Sequence, residues 1–351
     1  MDARTTPSGS SGGPPAPGPR PRGGGPLLLL DAASMYFRAY HGIPDSVAAP
    51  DGTPVNALRG FLDMTARLVA DRRPGGLVAC WDDDWRPQWR VDAVPSYKAH
   101  RVAADGGEDA PRTLGPQVPV IAEALAAVGV PRVGAPGCEA DDAIGTLATR
   151  AVAEGRRVEV VTGDRDLFQL AGRAGAPSAG GGEGAGDVLV LYTSRGIRDL
   201  ELVDGPRLRE RYGVADGDRY ADLAVLRGDA SDGLPGVPGV GEKTAATLLE
   251  RFGDLDGVRA AVRDRDPSLR PAQLARLAEA SDYLDAAPAV VRVLRDADLP
   301  EHDDALPAEV ADPAALTALA RRYGVASSLR RLLVALGLPT DAVRDEVVGR
   351  R

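Results

Sequence analysis

Three carboxylates fall within four positions in "GCEADDAIGTL", residues 137–147: Glu139, Asp141 and Asp142. At ~4 Å and an effective dielectric near 20, each like-charged pair costs about 4 kcal/mol. No basic residue in the stretch offsets that cost. Further acids end apolar runs: Asp31 closes "LLLLD", Asp82 follows "LVACW", and Asp164 and Asp166 follow "VEVVTG". "GDASD" (228–232) adds Asp229 and Asp232. A lone acid after a strand or at a helix start is ordinarily a cap or a turn residue. Nine gathered at one edge of a fold need a counter-ion. None of the nine is His or Cys, which argues against zinc, while all-oxygen donors suit Mg2+ or Mn2+. Nine carboxylates exceed the needs of one octahedral ion. Two ions, clamping the attacking and leaving oxygens of an in-line phosphoryl displacement, fit the number better.

The acid-ended apolar runs read as buried parallel strands, continuous rather than alternating. Between them, 56–70 and 141–152 keep helical apolar spacing, the second through Ile144, Leu147, Ala148 and Ala151. Strand and helix in alternation predict a doubly wound α/β architecture. In such sheets ligands sit beyond the carboxyl ends of the strands, where Asp31, Asp82, Asp164 and Asp166 fall. Glu139, Asp141 and Asp142 open a helix, whose dipole favours negative charge.

Of the 42 basic residues only two are lysine, Lys98 and Lys243. Lys98 lies in "VPSYKAHR", where one helix is expected to carry Tyr97, Lys98 and Arg101, with Lys98 and Arg101 on a shared face. Lys98 and Arg101 would meet the developing charge of a phosphate transition state, and Tyr97 would stack on a base. Trp81, Trp85 and Trp89 just upstream are expected in the core. Lys243 lies in "GDASDGLPGVPGVGEKTAATLLERFG" (228–253). This is not a P-loop, because Glu242 stands where that motif needs Gly. It reads as a helix–hairpin–helix, with Gly236, Gly239 and Gly241 letting a phosphate approach the backbone, and Lys243 and Thr244 at the second helix start. Such a grip ignores base identity.

The chain of 351 residues carries a formal net charge of −9, which by itself argues against a polyanionic partner. Setting the nine acids aside leaves acidic and basic residues equal in number, so the acidity belongs to the site. Two distant cysteines, Cys80 and Cys138, exclude a disulfide framework and fit a reducing compartment. Residues 1–26, rich in Gly, Pro and Ser, read as a disordered tail. No apolar run is long enough for a signal peptide or a membrane span, so a cytoplasmic location and no membrane partner are expected.

"LLLLDAASMYFRAYHG", "CWDDDWRPQWRVDAVPSYKAHR", "GCEADDAIGTLA", "VVTGDRDLFQL" and "GDASDGLPGVPGVGEKTA" occur in the order of the 5′-nuclease family, and the similarity ends near "SLRRLLVALGL". The chain resembles that family: the 5′-3′ exonuclease domain of bacterial DNA polymerase I, phage 5′ exonucleases and flap endonucleases. The resemblance implies a Rossmann-like (PIN-like), mostly parallel sheet over 27–203, with a helical arch near 85–115. It implies a helical DNA-binding region over 204–337 that contains the helix–hairpin–helix. By matching positions, Asp31, Asp82, Glu139, Asp141 and Asp142 would serve a first metal, and Asp164, Asp166, Asp229 and Asp232 a second. Lys98, Arg101 and Arg38 would contact the scissile phosphate, and the hairpin would hold K+ through backbone carbonyls.

Some positions depart from the pattern. Trp81 stands for phenylalanine, Asp84 for a frequent lysine, and Gly233 for the asparagine of "DNLPG", which should loosen that turn. Residues 172–187 look like an expanded flexible loop. After 337 only a short tail (338–351) is expected, in place of polymerase and proofreading domains. The expected substrates are DNA 5′ ends, flaps, junctions and RNA-primed ends, in partnership with a polymerase and a ligase. A ribonuclease on a related acidic fold and a non-catalytic junction binder are the rival readings. The hairpin speaks against the first, and the intact carboxylates against the second.

Overall fold

A computed structural model describes residues 24–104, 106–172 and 187–343. The tail expected over 1–26, the loop expected over 172–187 and the tail over 338–351 therefore lie largely outside the described residues. In chain order the first elements are β1 (Leu27–Asp31), α1 (Ala32–Gly42), α2 (Asn56–Arg72), β2 (Gly76–Cys80) and α3 (Gln88–Ala93). Next come α4 (Gln117–Val128), β3 (Arg132–Val133), α5 (Ala140–Ala153), β4 (Val158–Thr162), β5 (Val188–Tyr192) and β6 (Glu201–Val203). The sheet order is β3-β2-β1-β4-β5-β6, parallel except for β6. The chain moves outward from β1 through β2 to β3, then returns to place β4 on the other side of β1. That reversal puts the switch point between β1 and β4.

The strand register explains why β1, β2 and β4 read as uninterrupted apolar runs. Leu27, Leu29, Val78, Val158 and Val160 enter one core, and Leu28, Leu30, Leu77 and Val161 the opposite one. Period-two alternation thus exists in geometry but not in composition, because both faces are covered.

The helices after the sheet are α6 (Gly205–Tyr212), α7 (Gly217–Arg227), α8 (Glu242–Phe252), α9 (Leu255–Arg263), α10 (Pro271–Glu279), α11 (Ser281–Val291), α12 (Pro313–Tyr323) and α13 (Ala326–Ala335). They fall into two groups by the face they pack on. Helices α7 to α11 contribute to the core on the α5 face. Then 304–305 crosses the far end of the sheet, where Leu77 N–H donates to the Asp304 carbonyl at 2.8 Å. Helices α12 and α13 pack with α2 and α4 on the other face.

The helical arch expected near 85–115 is also corrected. Among the described residues this stretch holds the six-residue α3, a 3-10 turn at Ala99–Arg101 and an antiparallel bridge between Val102 and Glu108. Pro87, Pro95 and Pro111, with Gly106 and Gly107, interrupt helix formation throughout. Of the tryptophans only Trp81 joins the core; Trp85 lines a cleft, and Trp89 is half-buried with Arg90 over its ring.

Candidate active site

The carboxyl ends of β1, β2 and β4 open onto a cleft of about 930 Å³, lined by Asp31, Asp82, Glu139, Asp141 and Asp164 together with Arg38, Lys98 and Arg101. Each acid is placed by a local rule. Asp31 caps α1: its Oδ1 accepts from Ser34 N–H at 3.0 Å, and its Oδ2 from the Thr162 hydroxyl at 2.7 Å. Thr162 Oγ1 also accepts from Asp164 N–H at 2.9 Å, and Asp164 Oδ1 accepts from Asp166 N–H at 2.9 Å. One chain of hydrogen bonds thereby fixes the ends of β1 and β4 to each other. Asp82 accepts from Ala140 N–H at 2.7 Å, in the first turn of α5, and Glu139 is that helix's N-cap.

Burial pushes the Asp31 carboxyl up to about 7, with further upward pressure from Asp82 and Asp164. Burial, then repulsion from Asp31 and Asp164, carries Asp141 well above the carboxylate range. Asp166 is raised likewise by burial and then by Asp164, Asp232 and Asp229. Asp166, Asp229 and Asp232 are not part of the cleft lining, but across this edge Asp164 raises both Asp166 and Asp232, and Asp232 and Asp229 raise Asp166. Asp229 faces Arg227 at 3.8 Å and caps the 3-10 turn Ala230–Asp232. Among the described residues no three acids stand close enough to form a finished ligand set in their present rotamers. The donors nevertheless fit a hard divalent cation by type. They are oxygens only, and the Asp141 and Asp166 carboxylates, free of hydrogen-bond donors among the described residues, carry repulsion that positive charge would relieve.

The cations are tied to the acids. Lys98 Nζ lies 2.7 Å from Glu139 Oε2. Burial works against the Lys98 charge, but Glu139, Asp232 and Asp82 outweigh it and hold the ammonium above its usual range. Arg101 meets Asp232 at 2.7 Å. Arg38 is held differently, its Nε donating to the Thr193 hydroxyl at 3.0 Å.

Four expectations change here. Tyr97, Lys98 and Arg101 do not share a helix: Lys98 sits in the left-handed region at φ 47, and only Arg101 lies in the following 3-10 turn. Tyr97 is buried, with its hydroxyl donating to Glu139 at 2.7 Å, so it is not placed to stack on a base. Asp142 does not face the cleft. It is fully buried, receives both outer nitrogens of the Arg90 guanidinium at 2.7 Å, and accepts from Leu294 N–H at 2.8 Å. With every lone-pair direction engaged, Asp142 is a structural ion-pair partner that ties α5 to α3 and to the segment after α11. Gly233 does not loosen its turn. It adopts φ +73, and a Cβ there would collide with the Ser96 carbonyl, so glycine permits a tight contact.

The hairpin glycines also differ from one another. Gly236 packs on the backbone of Arg227 and Gly228, and Gly239 lies under the Arg276 guanidinium. Only Gly241 faces open space, at the start of α8 with exposed Lys243 and half-buried Thr244. Sequence reasoning missed Ser34, Glu108, Arg195 and Arg198, all on the cleft wall. For the two arginines a signal existed: "TSRGIR" follows the apolar "VLVLY", the same strand-end position as the acids.

Residues 26–182 match the 5′-3′ exonuclease N-terminal resolvase-like domain, and residues 215–314 match the 5′-3′ exonuclease C-terminal SAM fold. The chain belongs to the 5′-3′ exonuclease family. A Streptomyces coelicolor 5′-3′ exonuclease is 57% identical over 314 residues, covering 88% of this chain and 99% of that protein. A Mycobacterium tuberculosis 5′-3′ exonuclease is 50% identical over 324 residues, covering 89% and 98%. DNA polymerase I of Mycobacterium bovis is 39% identical over 246 residues, 68% of this chain but 25% of the polymerase. Among solved structures, bacteriophage T5 5′-exonuclease with bound divalent metal ions (zinc) superposes with a TM-score of 0.56 at 15% identity, covering 88% and 99% of the two chains. A T5 flap endonuclease complex with DNA and metal ions gives 0.56 at 15% identity, covering 89% and 99%. These two likenesses establish the fold. Membership of the family makes this 5′-3′ exonuclease a hydrolase of phosphodiester bonds. No described helix is long and apolar enough to cross a membrane.

Proposed function

We propose that the enzyme releases nucleotides or short oligonucleotides from DNA 5′ ends and cuts 5′ flaps at junctions, with two Mg2+ or Mn2+ ions. The observation that carries this reading is a single cleft in which five carboxylates, Asp31 and Glu139 buried, Asp82 and Asp141 half-buried and Asp164 exposed, meet Lys98, Arg101 and Arg38. Asp31, Asp82, Glu139 and Asp141 would hold one ion, and Asp164, Asp166, Asp229 and Asp232 the other. When bound, such ions supply the charge that activates water and steadies a leaving 3′-oxygen.

The chain's own groups do the rest. Lys98 and Arg101, held by Glu139 and Asp232, would meet the phosphate with their charge already oriented. Arg38 is fixed by Thr193 beyond the end of β4's neighbour, β5. The hairpin grips duplex through Gly241, Lys243 and Thr244, with K+ on its carbonyls, while end bases unpair at a cost of a few kcal/mol. RNA-primed ends fit the same grip, since it holds phosphates, which RNA and DNA share. Work beside a polymerase and a ligase, in the cytoplasm, fits that substrate.

The test is a 5′-labelled flap DNA with Mg2+, beside single-stranded RNA and an Asp164→Asn/Asp166→Asn control. Flap cutting that the control loses is expected. Cleavage of RNA alone would replace this reading with a ribonuclease, and junction binding without any cutting would replace it with a binder.

A further inference from the structure

We infer that the cavity between α8 and α10 is a second phosphodiester seat for duplex DNA, centred on Arg270 and Arg276. This rests on the duplex grip proposed above and extends it from the hairpin onto a helix that neither the motif nor its glycines include. The cavity measures about 500 Å³; Lys243, Arg251, Arg270 and Arg276 line it, and no acid does.

In a chain of net charge −9 that is an unusual neighbourhood. Surface arginines elsewhere are commonly paired, as in Arg67 with Asp71, Arg207 with Glu201 and Arg259 with Asp285. Among the described residues Lys243, Arg270 and Arg276 have no acidic partner, and all three are exposed. Cations left unpaired around one concavity await an anion.

The fold builds this arrangement. Arg251 Nη1 donates to the Ser268 carbonyl at 3.0 Å, which fixes the turn before α10 against the end of α8. Arg276 then lies over Gly239, so closely that a Cβ on that residue would collide with the guanidinium. Gly239, whose φ of +75 is itself what calls for glycine, has this flexible guanidinium resting on it, and so α10 adjoins the hairpin surface. Both helices begin without a side-chain cap, α8 after Gly241 and α10 after Arg270. First-turn residues of each, Thr244 and Ala272, line the cavity. The first-turn amides of α8, and on α10 the Ala272 N–H alone, since Pro271 has none and Gln273 N–H donates to the Arg270 carbonyl, lie beside guanidinium groups and suit phosphate oxygens. A duplex backbone, with one charge per ~3.4 Å of each strand, matches cations spread along two helices better than a free phosphate does.

The test measures binding of full-length protein to a 5′-flap duplex under chelation across a salt series. Variants are Arg270→Ala, Arg276→Ala, the double alanine and the double lysine. Each lost contact should lower the slope of log affinity against log salt by about 0.9, so the double alanine should lose roughly 1.8. The lysine pair should keep most of the slope, and the single-turnover rate at saturating DNA should stay within about twofold of wild type. An unchanged slope overturns the inference. So does an effect confined to Arg276→Ala together with a lowered Tm, which would mean hairpin support alone; Arg270→Ala, at an exposed N-cap without a cap bond, separates the two. Displacement of the duplex by inorganic phosphate at matched ionic strength, with no slope change in the variants, also overturns it in favour of a free-anion site. If wild type cuts DNA but has no duplex affinity, the duplex grip proposed above fails as well. If wild type binds duplex and the variants match it, only this seat fails.

Discussion

Asp141 and Asp142 are adjacent, identical in type and oppositely used. Asp141 lines the cleft with no donor to its carboxylate among the described residues, and burial and like charge hold it protonated far above its usual range. Asp142 is fully buried in a bidentate pair with Arg90. Asp141→Asn should therefore leave the fold intact and remove cutting, with thermal stability equal to or above wild type. Asp142→Ala should instead destabilise by about 3–5 kcal/mol, because it leaves the Arg90 charge buried without its partner. Chemical denaturation beside a flap-cleavage assay reads both; a wild-type unfolding midpoint for Asp142→Ala would return that residue to the metal set. Lys98→Ala should cut the single-turnover rate by about 10²–10³-fold, the scale of one lost electrostatic donor, with junction affinity near wild type. A large affinity loss at unchanged rate would overturn Lys98's role.

At the scale of elements, the legible parts were those with a local cause. β1, β2, β4, α2, α5 and α8 announce themselves by apolar runs, 3.6-residue spacing and a glycine-bounded start. β5 was missed because it follows the Gly-rich 172–187 stretch, β3 because it is two residues long, and β6 because its three residues carry no pattern. The use of Asp142 and Tyr97 was illegible for a different reason. Both are set by partners far away in sequence, Arg90 and Leu294 for one and Glu139 for the other. Gly233 belongs here too. It seats the 229–233 turn on Ser96, and Lys98 N–H donates to the Asp232 carbonyl at 2.9 Å, so the turn positions the lysine-bearing segment. Gly233→Asn, although asparagine tolerates positive φ, should collide with Ser96 and displace Lys98. The expected result is at least a tenfold slower single turnover on flap DNA with modest loss of stability, about 1–3 kcal/mol. Wild-type turnover would show that the turn is not a positioning element.

For the whole molecule, the acidic edge links stability to pH and to divalent ions. Without metal the folded Asp31 holds its proton up to about 7, against 3.8 for the ordinary group, and Asp141 and Asp166 are raised as well. The native state then binds more protons than the unfolded chain between these values, so the contribution of these acids to stability is fully present below pH ~4 and falls as pH rises toward 7. A divalent cation bound by the ionised acids releases those protons and restores what the pH rise removed. In chelator, Tm should therefore decline between pH 5 and pH 8, and Mg2+ should raise it more at pH 8 than at pH 5. Differential scanning fluorimetry at the two pH values, with chelator or Mg2+, decides the matter. Because a single fold presents these acids together, an equal Mg2+ gain at both pH values would mean that the cation binds elsewhere than among Asp31, Asp141 and Asp166.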